Sequence, residues 1–241
     1  MPSCEKQSPA PEAAPTLGIL MLRTSFPRPP GDVGNPATWP WPSRDKVVQP
    51  ADVAAVVRDG PLPAALVEAF ITAGRELVEE GADLITTSCG FLVTAQRALE
   101  DALPRPVVTS SLLQIPALQA SLPADRRVGV ITFDARRLGA AHLAAAGAPA
   151  DTPVAGLPFD GALYRMIAED RPELDAAAAE AEVLAVGRAL RAAHPDLGAV
   201  VLECTNLPPY RAALAADLGL PVHDLVTLLR ARMEAGSVVR E

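Results

Sequence analysis

The sequence predicts an α/β protein made of two pseudo-symmetric halves, each a parallel sheet with helices, and a functional site at their interface. Short apolar runs alternate with segments of helical periodicity. Uniformly apolar strands separated by helices are typical of a parallel sheet covered on both faces. The chain also repeats itself: Cys89 and Cys204 are 115 positions apart (204 − 89), and so are Pro106 and Pro221 (221 − 106). Ligands of such sheets bind at the carboxyl ends of strands, which predicts a site between the halves.

The first half is expected to span residues 16–126, after a polar, proline- and alanine-rich flexible tail over 1–15. It begins with the apolar run 17–22, which predicts a buried strand. Residues 23–63 are rich in proline, which disfavours regular helix, so we interpret them as a long loop. The pattern then predicts a helix over 64–80, a strand over 83–87, a helix over 91–103, a strand over 106–109 and a helix over 112–122.

The second half is expected to span residues 127–241, and its C-terminal segment could pack back onto the first half. It opens with the apolar strand 127–132, followed by a helix over 135–146 and a short strand near Val154. The remaining pattern predicts a helix over 173–193, a strand over 198–202, a helix over 207–218, a strand over 221–223 and a helix over 225–235.

Composition argues against several classes of function. The chain has 241 residues and a formal net charge of −8, which disfavours a nucleic-acid partner because such proteins need a concentrated basic surface. No apolar run approaches the roughly 18–20 residues of a membrane span, and the first residues lack the pattern of a signal peptide. Three cysteines do not suggest a disulfide scaffold, so we expect a cytoplasmic protein without a membrane partner. The three histidines are widely spaced, which predicts no metal site.

Two of the cysteines are the candidate catalytic residues. Cys89 and Cys204 each follow a predicted buried strand and precede a predicted helix. A thiol at the N-terminus of a helix lies in the positive end of the helix dipole, which favours the thiolate. Two such thiols facing each other would place one acid or base on each side of a bound carbon atom. This arrangement moves protons without a cofactor, so none is expected.

Residues around the cysteines, and others at strand ends, are candidates for binding a small carboxylate. Arg23, like Arg28 and Asn35, lies on the loop after the first strand, where an arginine could hold a carboxylate or remain in solvent. Ser110 could face the same edge as Cys89 or simply cap a helix. The predicted binding residues are Thr87, Ser88, Gly90, Phe91, Thr205, Asn206, Arg23, Ser110 and Thr132.

Residues 85–92 (ITTSCGFL) and 202–208 (LECTNLP) resemble the two signature segments of the aspartate/glutamate racemase superfamily. That superfamily includes hydantoin racemase, maleate isomerase and arylmalonate decarboxylase, and the resemblance covers roughly residues 17–230. It implies cofactor-independent chemistry at a carbon next to a carboxylate, with Cys89 and Cys204 as opposed acid/base groups. The sequence departs from the racemases in three places: Gly90-Phe91 stands in place of Asn-Thr, Asn206 in place of a histidine, and residues 23–27 (RTSFP) in place of an Asp-Ser-Gly turn.

The function expected on this basis is that of an isomerase: a racemase or epimerase of an amino acid or related carboxylate, acting through two cysteines. The alternative is a maleate cis-trans isomerase-like or arylmalonate decarboxylase-like enzyme, and having both cysteines favours a racemase or isomerase over a decarboxylase. A non-catalytic protein that binds a small acid is a third possibility. The expected partner is a small-molecule carboxylate, and a homodimer is a reasonable default for such a domain.

Overall fold

The computed structural model of the protein describes residues 14–238, with side chains through residue 235. The predicted tail over 1–15 therefore lies almost entirely outside the described residues. The elements after it form two four-stranded sheets, and every strand pair in both sheets is parallel. Within residues 14–238, no helix combines the length and apolar character that crossing a membrane requires.

The first sheet has the strand order β2-β1-β3-β4. Its central strands β1 and β3 are fully buried, as the apolar sequence runs predict. Helices α1 and α2 connect β2 to β3, and α3 connects β3 to β4. The bounds are β1 Leu17–Leu22, β2 Ser43–Val48, α1 Val53–Val56, α2 Ala64–Glu79, β3 Leu84–Thr87, α3 Gln96–Ala102, β4 Val107–Val108 and α4 Ile115–Ser121.

The second sheet has the order β6-β5-β7-β8, which repeats the order of the first sheet strand for strand. The predicted fold class of two pseudo-symmetric parallel-sheet halves is thereby confirmed. The bounds are β5 Arg127–Thr132, α5 Ala140–Ala145, β6 Val154–Gly156, α6 Ala162–Ala168, α7 Ala176–Ala193, β7 Leu197–Leu202, α8 Arg211–Leu218, β8 Val222–His223 and α9 Leu225–Val238.

Several elements differ from the sequence prediction. The proline-rich segment 23–63 is not one loop, because it contains the edge strand β2 and the short helix α1. Strand β2 reads Ser-Arg-Asp-Lys-Val-Val, and its exposed charged residues mask the apolar signal of a strand. Helix α6 was not predicted. The predicted helices over 91–103 and 112–122 each begin with a 3-10 turn, over Gly90–Ala95 and Ser111–Gln114.

The last helix of each half packs against the sheet of the other half. On α9, Leu225, Val226, Leu229 and Met233 belong to one apolar cluster with Leu17 and Ile19 of β1. In the same way, Ile115 of α4 shares a cluster with Val128 and Val130 of β5. This exchange packs the two halves against each other. The boundary between the halves at 126/127 stays a prediction.

Candidate active site

The loops after β3 and β7 meet between the two halves. The Thr205 hydroxyl donates a hydrogen bond to the Ser88 carbonyl at 2.6 Å. The Ser111 hydroxyl donates to the Leu202 carbonyl at 2.7 Å. Cys89 and Cys204 lie on these two loops and line the same cavity. The equivalent positions of the two cysteines in the repeat are therefore what bring them together.

The cavity is small and has mostly apolar walls. It contains about 340 Å³ of space not occupied by protein atoms, part of it open to solvent. Its walls come from both halves, so it lies at their interface. The apolar lining residues are Leu22, Phe26, Val53, Val57, Phe91, Phe133 and Ile167, and the others are Arg28, Ser88, Cys89, Gly90, Glu203, Cys204, Thr205 and Asn206.

The structure brings most of the sequence-predicted site residues to this cavity. Those that line it, besides the two cysteines, are Ser88, Gly90, Phe91, Thr205 and Asn206. All of them lie within two residues of a cysteine in sequence, so a local motif is sufficient to find them.

Four of the predicted residues do not line the cavity. Thr87 donates to the Thr109 carbonyl at 2.7 Å and stabilises the sheet edge. Ser110 has the alternative role of a cap, since it accepts from the Leu112 N–H at 3.2 Å at the start of a 3-10 turn. Thr132 lies one step away from the cavity, since its hydroxyl donates to Glu203 Oε2 at 2.7 Å. Arg23 points to the surface, where it pairs with Asp52 at 2.9 Å.

Arg28, rather than Arg23, is the arginine of the cavity. Its guanidinium donates to Asp32 Oδ1 at 3.0 Å and to Thr24 Oγ1 at 3.0 Å. The guanidinium carbon also lies 4.6 Å from the centroid of the Phe26 ring, a cation–π contact. The Arg28 side chain is only 11% exposed. The sequence offers both arginines on one segment and gives no reason to choose between them.

A chain of polar contacts connects Arg28 to the thiol of Cys204. Asp32, 1% exposed, accepts from Arg28 and also from Asn206 Nδ2 at 2.6 Å. Since the Asn206 amino group faces Asp32, its carbonyl oxygen faces the other way and lies 3.5 Å from Cys204 Sγ as a hydrogen-bond acceptor. Asp32 was missed by the sequence reasoning. It lies 174 positions from Asn206, and no local pattern marks it.

Both thiols have raised pKa values in the cavity. Burial raises the pKa of Cys89 and of Cys204, and the negative charge of Glu203 raises both further. The N–H groups of Phe91 and Asn206 oppose this by hydrogen bonding to the two sulfurs, which lowers each pKa. The sequence predicts the opposite, namely lowered pKa values, because a thiol at the N-terminus of a helix is expected to favour the thiolate. The turns after the cysteines are short 3-10 segments, Gly90–Ala95 and Pro208–Tyr210, so little helix dipole reaches the sulfurs.

Glu203 is a buried carboxyl group in the cavity that sequence reasoning did not single out. It is 1% exposed, and its Oε1 has no hydrogen-bond partner among the described residues. Burial raises the pKa of Glu203 to about 7, against the hydrogen bond from Thr132, which lowers it. Gly90 packs directly on this group: a β-carbon at position 90 would overlap Glu203 Oε1 and the Glu203 carbonyl oxygen. The glycine after Cys89 is therefore what makes room for the carboxyl group.

The arrangement suits proton transfer at a carbon atom of a small anion. Two thiols and one carboxyl group with raised pKa values face an apolar cavity with an arginine at one side. Apolar walls strengthen electrostatic contacts because they exclude water. Among the described residues, no group of three or more His, Cys, Asp and Glu side chains is placed to hold a metal ion.

No protein-family model matches the chain. Comparison with curated proteins does find relatives, and those described below are all named dimethylsulfoniopropionate lyases. A dimethylsulfoniopropionate lyase of Durusdinium sp. clade D is 29% identical over 92% of the chain and 77% of its own length. Dimethylsulfoniopropionate lyases 5 and 3 of Emiliania huxleyi are 32% and 30% identical, over 90% and 88% of the chain. The chain spans only 44% and 57% of the length of these two relatives.

These names overturn the function expected from the sequence. A racemase or epimerase is an isomerase, whereas the relatives are named as lyases. The expectation was wrong because it was carried over from the superfamily resemblance of the two cysteine segments, and these segments do not determine which bond an enzyme breaks.

Solved structures with the same architecture are similar over nearly the whole chain. An allantoin racemase from Klebsiella pneumoniae has a TM-score of 0.60 at 17% identity and covers 93% of the chain and 88% of its own. Arylmalonate decarboxylase has a TM-score of 0.56 at 19% identity and covers 86% of both chains. A glutamate racemase from Bacillus anthracis has a TM-score of 0.55 at 14% identity, over 95% of the chain and 85% of its own. The chain therefore has the fold of the aspartate/glutamate racemase superfamily, as its two cysteine segments predict.

Proposed function

We propose that the protein is a lyase that splits dimethylsulfoniopropionate into dimethyl sulfide and acrylate. The names of the curated relatives support this, since they match the chain over 88–92% of its residues. The observation that carries the proposal at the level of the site is the pair of thiols on one small cavity with mostly apolar walls. That pair supplies a base next to the carbon that must lose a proton.

The reaction is a β-elimination. The substrate carries a carboxylate on its α-carbon and a dimethylsulfonium group on its β-carbon. A base takes one α-proton, the C–H electrons form the double bond of acrylate, and the C–S electrons leave with dimethyl sulfide. The leaving group departs as a neutral molecule, so no acid has to protonate it. The base therefore ends the step protonated, which restores the thiol, and one proton per turnover passes to water when the next substrate generates the thiolate again.

A thiolate of Cys89 or Cys204 serves as the base in this proposal. Both thiols are protonated at rest, because burial and the charge of Glu203 raise each pKa. The substrate changes this balance, since its sulfonium cation enters the cavity and favours the charged thiolate. The N–H groups of Phe91 and Asn206 stabilise the same charged forms. The base is thus generated mainly when a cationic substrate is bound, and the thiol proton then passes to water on the side of the cavity that is open to solvent.

Arg28 and Ser88 are the partners that the cavity offers to the carboxylate end of the substrate. Arg28 is the positively charged side chain among the lining residues, and its charge also favours the Cys89 thiolate. Ser88 Oγ already accepts from the Leu22 N–H at 2.9 Å, so its own O–H is the group it can offer a substrate. As the α-proton leaves, negative charge grows on the carboxylate, and donors at this end stabilise it.

The test measures both products from dimethylsulfoniopropionate. We expect the wild-type protein to release dimethyl sulfide, detected by headspace gas chromatography, with an equal amount of acrylate detected by proton NMR. A Cys89→Ser/Cys204→Ser double variant should lose this activity, because a serine hydroxyl has a far higher pKa than a thiol and does not ionise to act as the base. Cys4→Ser, which changes the third cysteine of the chain, is the matched control and should retain activity.

Two results would contradict the proposal. Release of neither product by the folded wild-type protein would remove the lyase assignment. Full activity in the double variant would keep the reaction but remove the thiols from it. Where the double variant is inactive, the two single variants identify the base, since an elimination of this kind needs only one.

A further inference from the structure

Two charged side chains line the cavity, and only one of them has an oppositely charged partner among the described residues. Arg28 pairs with Asp32 at 3.0 Å. Glu203 has no cationic partner among the residues that the structure describes. Its Oε2 accepts a hydrogen bond from the neutral Thr132 hydroxyl, and its Oε1 accepts none. A buried carboxylate without a cation is strongly disfavoured, so a group of this kind in a binding cavity needs a physical explanation.

The surroundings of Glu203 keep the carboxyl group in the cavity. Thr132 fixes Oε2 at 2.7 Å, and Gly90 leaves space for Oε1 where any β-carbon would overlap it. Glu203 also lies close to both thiols, since it precedes Cys204 and packs on the residue after Cys89, and its charge acts on each of them. A cation that met Oε1 would therefore lie beside both sulfurs.

Aromatic residues line the same cavity. The rings of Phe91 and Phe133 are part of its wall, and Phe26 already holds the Arg28 guanidinium on one face. Aromatic rings attract methylated cations through their electron-rich faces, an effect that grows when water is excluded. Methyl groups of a sulfonium also gain from apolar contact. A wall of this kind suits a methylated cation better than a hydrated ammonium group.

We propose that Glu203 is the specificity-determining counter-charge for the cationic end of the substrate. This rests on the proposed function. The cavity would select one class of molecule, a short zwitterion with a methylated onium group two carbons from its carboxylate. Arg28 faces the carboxylate, Glu203 faces the cation, and the thiols lie along the carbon chain between them. Burial raises the pKa of Glu203, and a bound cation opposes this by favouring the charged carboxylate.

The test uses a pair of ligands that differ only in charge. These are 3-(trimethylammonio)propanoate and its neutral-tail isostere 4,4-dimethylpentanoate, in which carbon replaces the nitrogen. Calorimetry gives the Kd of each for the wild-type protein and for Glu203→Gln. We expect the wild-type protein to prefer the cationic ligand by at least about tenfold, and Glu203→Gln to lose most of that preference.

Two further variants separate charge from folding. Glu203→Asp keeps the charge but withdraws it by one methylene group, so it should retain part of the preference even if Glu203→Gln unfolds. Glu173→Gln removes one exposed negative charge away from the cavity and should leave the preference at the wild-type value. Thermal unfolding of each variant checks that it is folded.

The outcomes distinguish this inference from the proposed function. A preference lost in Glu203→Gln supports the inference even if no dimethyl sulfide is ever produced. An unchanged preference in Glu203→Gln, or a wild-type protein that binds the neutral isostere as well as the cation or binds neither ligand, overturns it even if lyase activity is confirmed.

Discussion

Removal of the Asp32 carboxylate should destabilise the protein far more than removal of a matched carboxylate on the surface. Arg28–Asp32 and Arg97–Asp101 are both i,i+4 pairs with a nitrogen–oxygen distance of 3.0 Å. They differ in burial: the side chains are 11% and 1% exposed in the first pair, and 85% and 59% exposed in the second. Comparing the two therefore contrasts a buried carboxylate with an exposed one in ion pairs of the same spacing and length.

The magnitude is set by the groups that Asp32→Ala leaves without a partner. The Arg28 charge stays in a largely buried position without its carboxylate, and breaking a buried pair in this way costs about 3–5 kcal/mol. The Gly34 N–H and the Asn206 amino group also lose their acceptor, at 2.8 and 2.6 Å. Asp101→Ala removes an exposed pair, which is worth roughly 0.3–0.5 kcal/mol on a helix.

Urea unfolding of the wild-type protein and of the two variants measures both values. Equal losses for Asp32→Ala and Asp101→Ala would refute the reasoning, because burial would then not matter. A second readout comes from the contact between Asn206 and Cys204. Loss of Asp32 frees the Asn206 amide to turn, so Asp32→Ala should lower the rate of dimethyl sulfide release in the fraction of the protein that stays folded.

Two further predictions concern Glu203 and its neighbour. Gly90→Ala should reduce lyase activity about tenfold or more, because the new β-carbon displaces the Glu203 carboxyl group. The control Gly74→Ala crowds the Leu103 side chain at 2.7 Å, outside the cavity, and should retain activity. Similar activities of the two variants would contradict this prediction. Burial raises the pKa of Glu203 from 4.5 to about 7, so the unfolded state holds fewer protons between these values and stability due to this group falls as the pH rises. Glu203→Gln should therefore gain about 3 kcal/mol relative to wild type between pH 4.5 and pH 8, measured by urea unfolding, and a difference independent of pH would contradict the burial argument.

The fold could be predicted from sequence because its signals are local. The buried central strands β1, β3, β5 and β7 are short apolar runs, and the repeat places equivalent loops at equivalent positions. Strand β2 could not be found in this way. It is an edge strand with charged, exposed side chains. It pairs with β1, in which Leu17 lies opposite Ser43, 26 positions later in the sequence, so no local pattern marks the pairing.

The candidate site divides along the same line. Ser88, Gly90, Phe91, Thr205 and Asn206 are neighbours of the cysteines in sequence, and so a motif is enough to find them. Arg28 reaches the cavity, and Asp32 reaches Arg28 and Asn206 behind it, only through a bend of the proline-rich segment. Asp170, from the second half, fixes that bend by accepting from the N–H groups of Ser25 and Phe26 at 2.7 and 3.0 Å. Contacts across about 145 positions leave no pattern that a single sequence displays.

Glu203 shows why the reaction class was harder to predict than the fold. It lies directly before Cys204, inside the segment that resembles the superfamily signature, yet the sequence alone does not reveal that its carboxyl group is buried and unpaired. A pair of thiols next to a carboxylate is compatible with any reaction that begins with proton removal. The fate of the resulting carbanion depends on the substituent one carbon further along, and that substituent is read by Glu203 and the aromatic wall in our proposal. If the cavity carries a counter-charge for an onium group, proton removal ends in loss of a neutral sulfide, and elimination becomes the natural outcome of the same two-thiol frame.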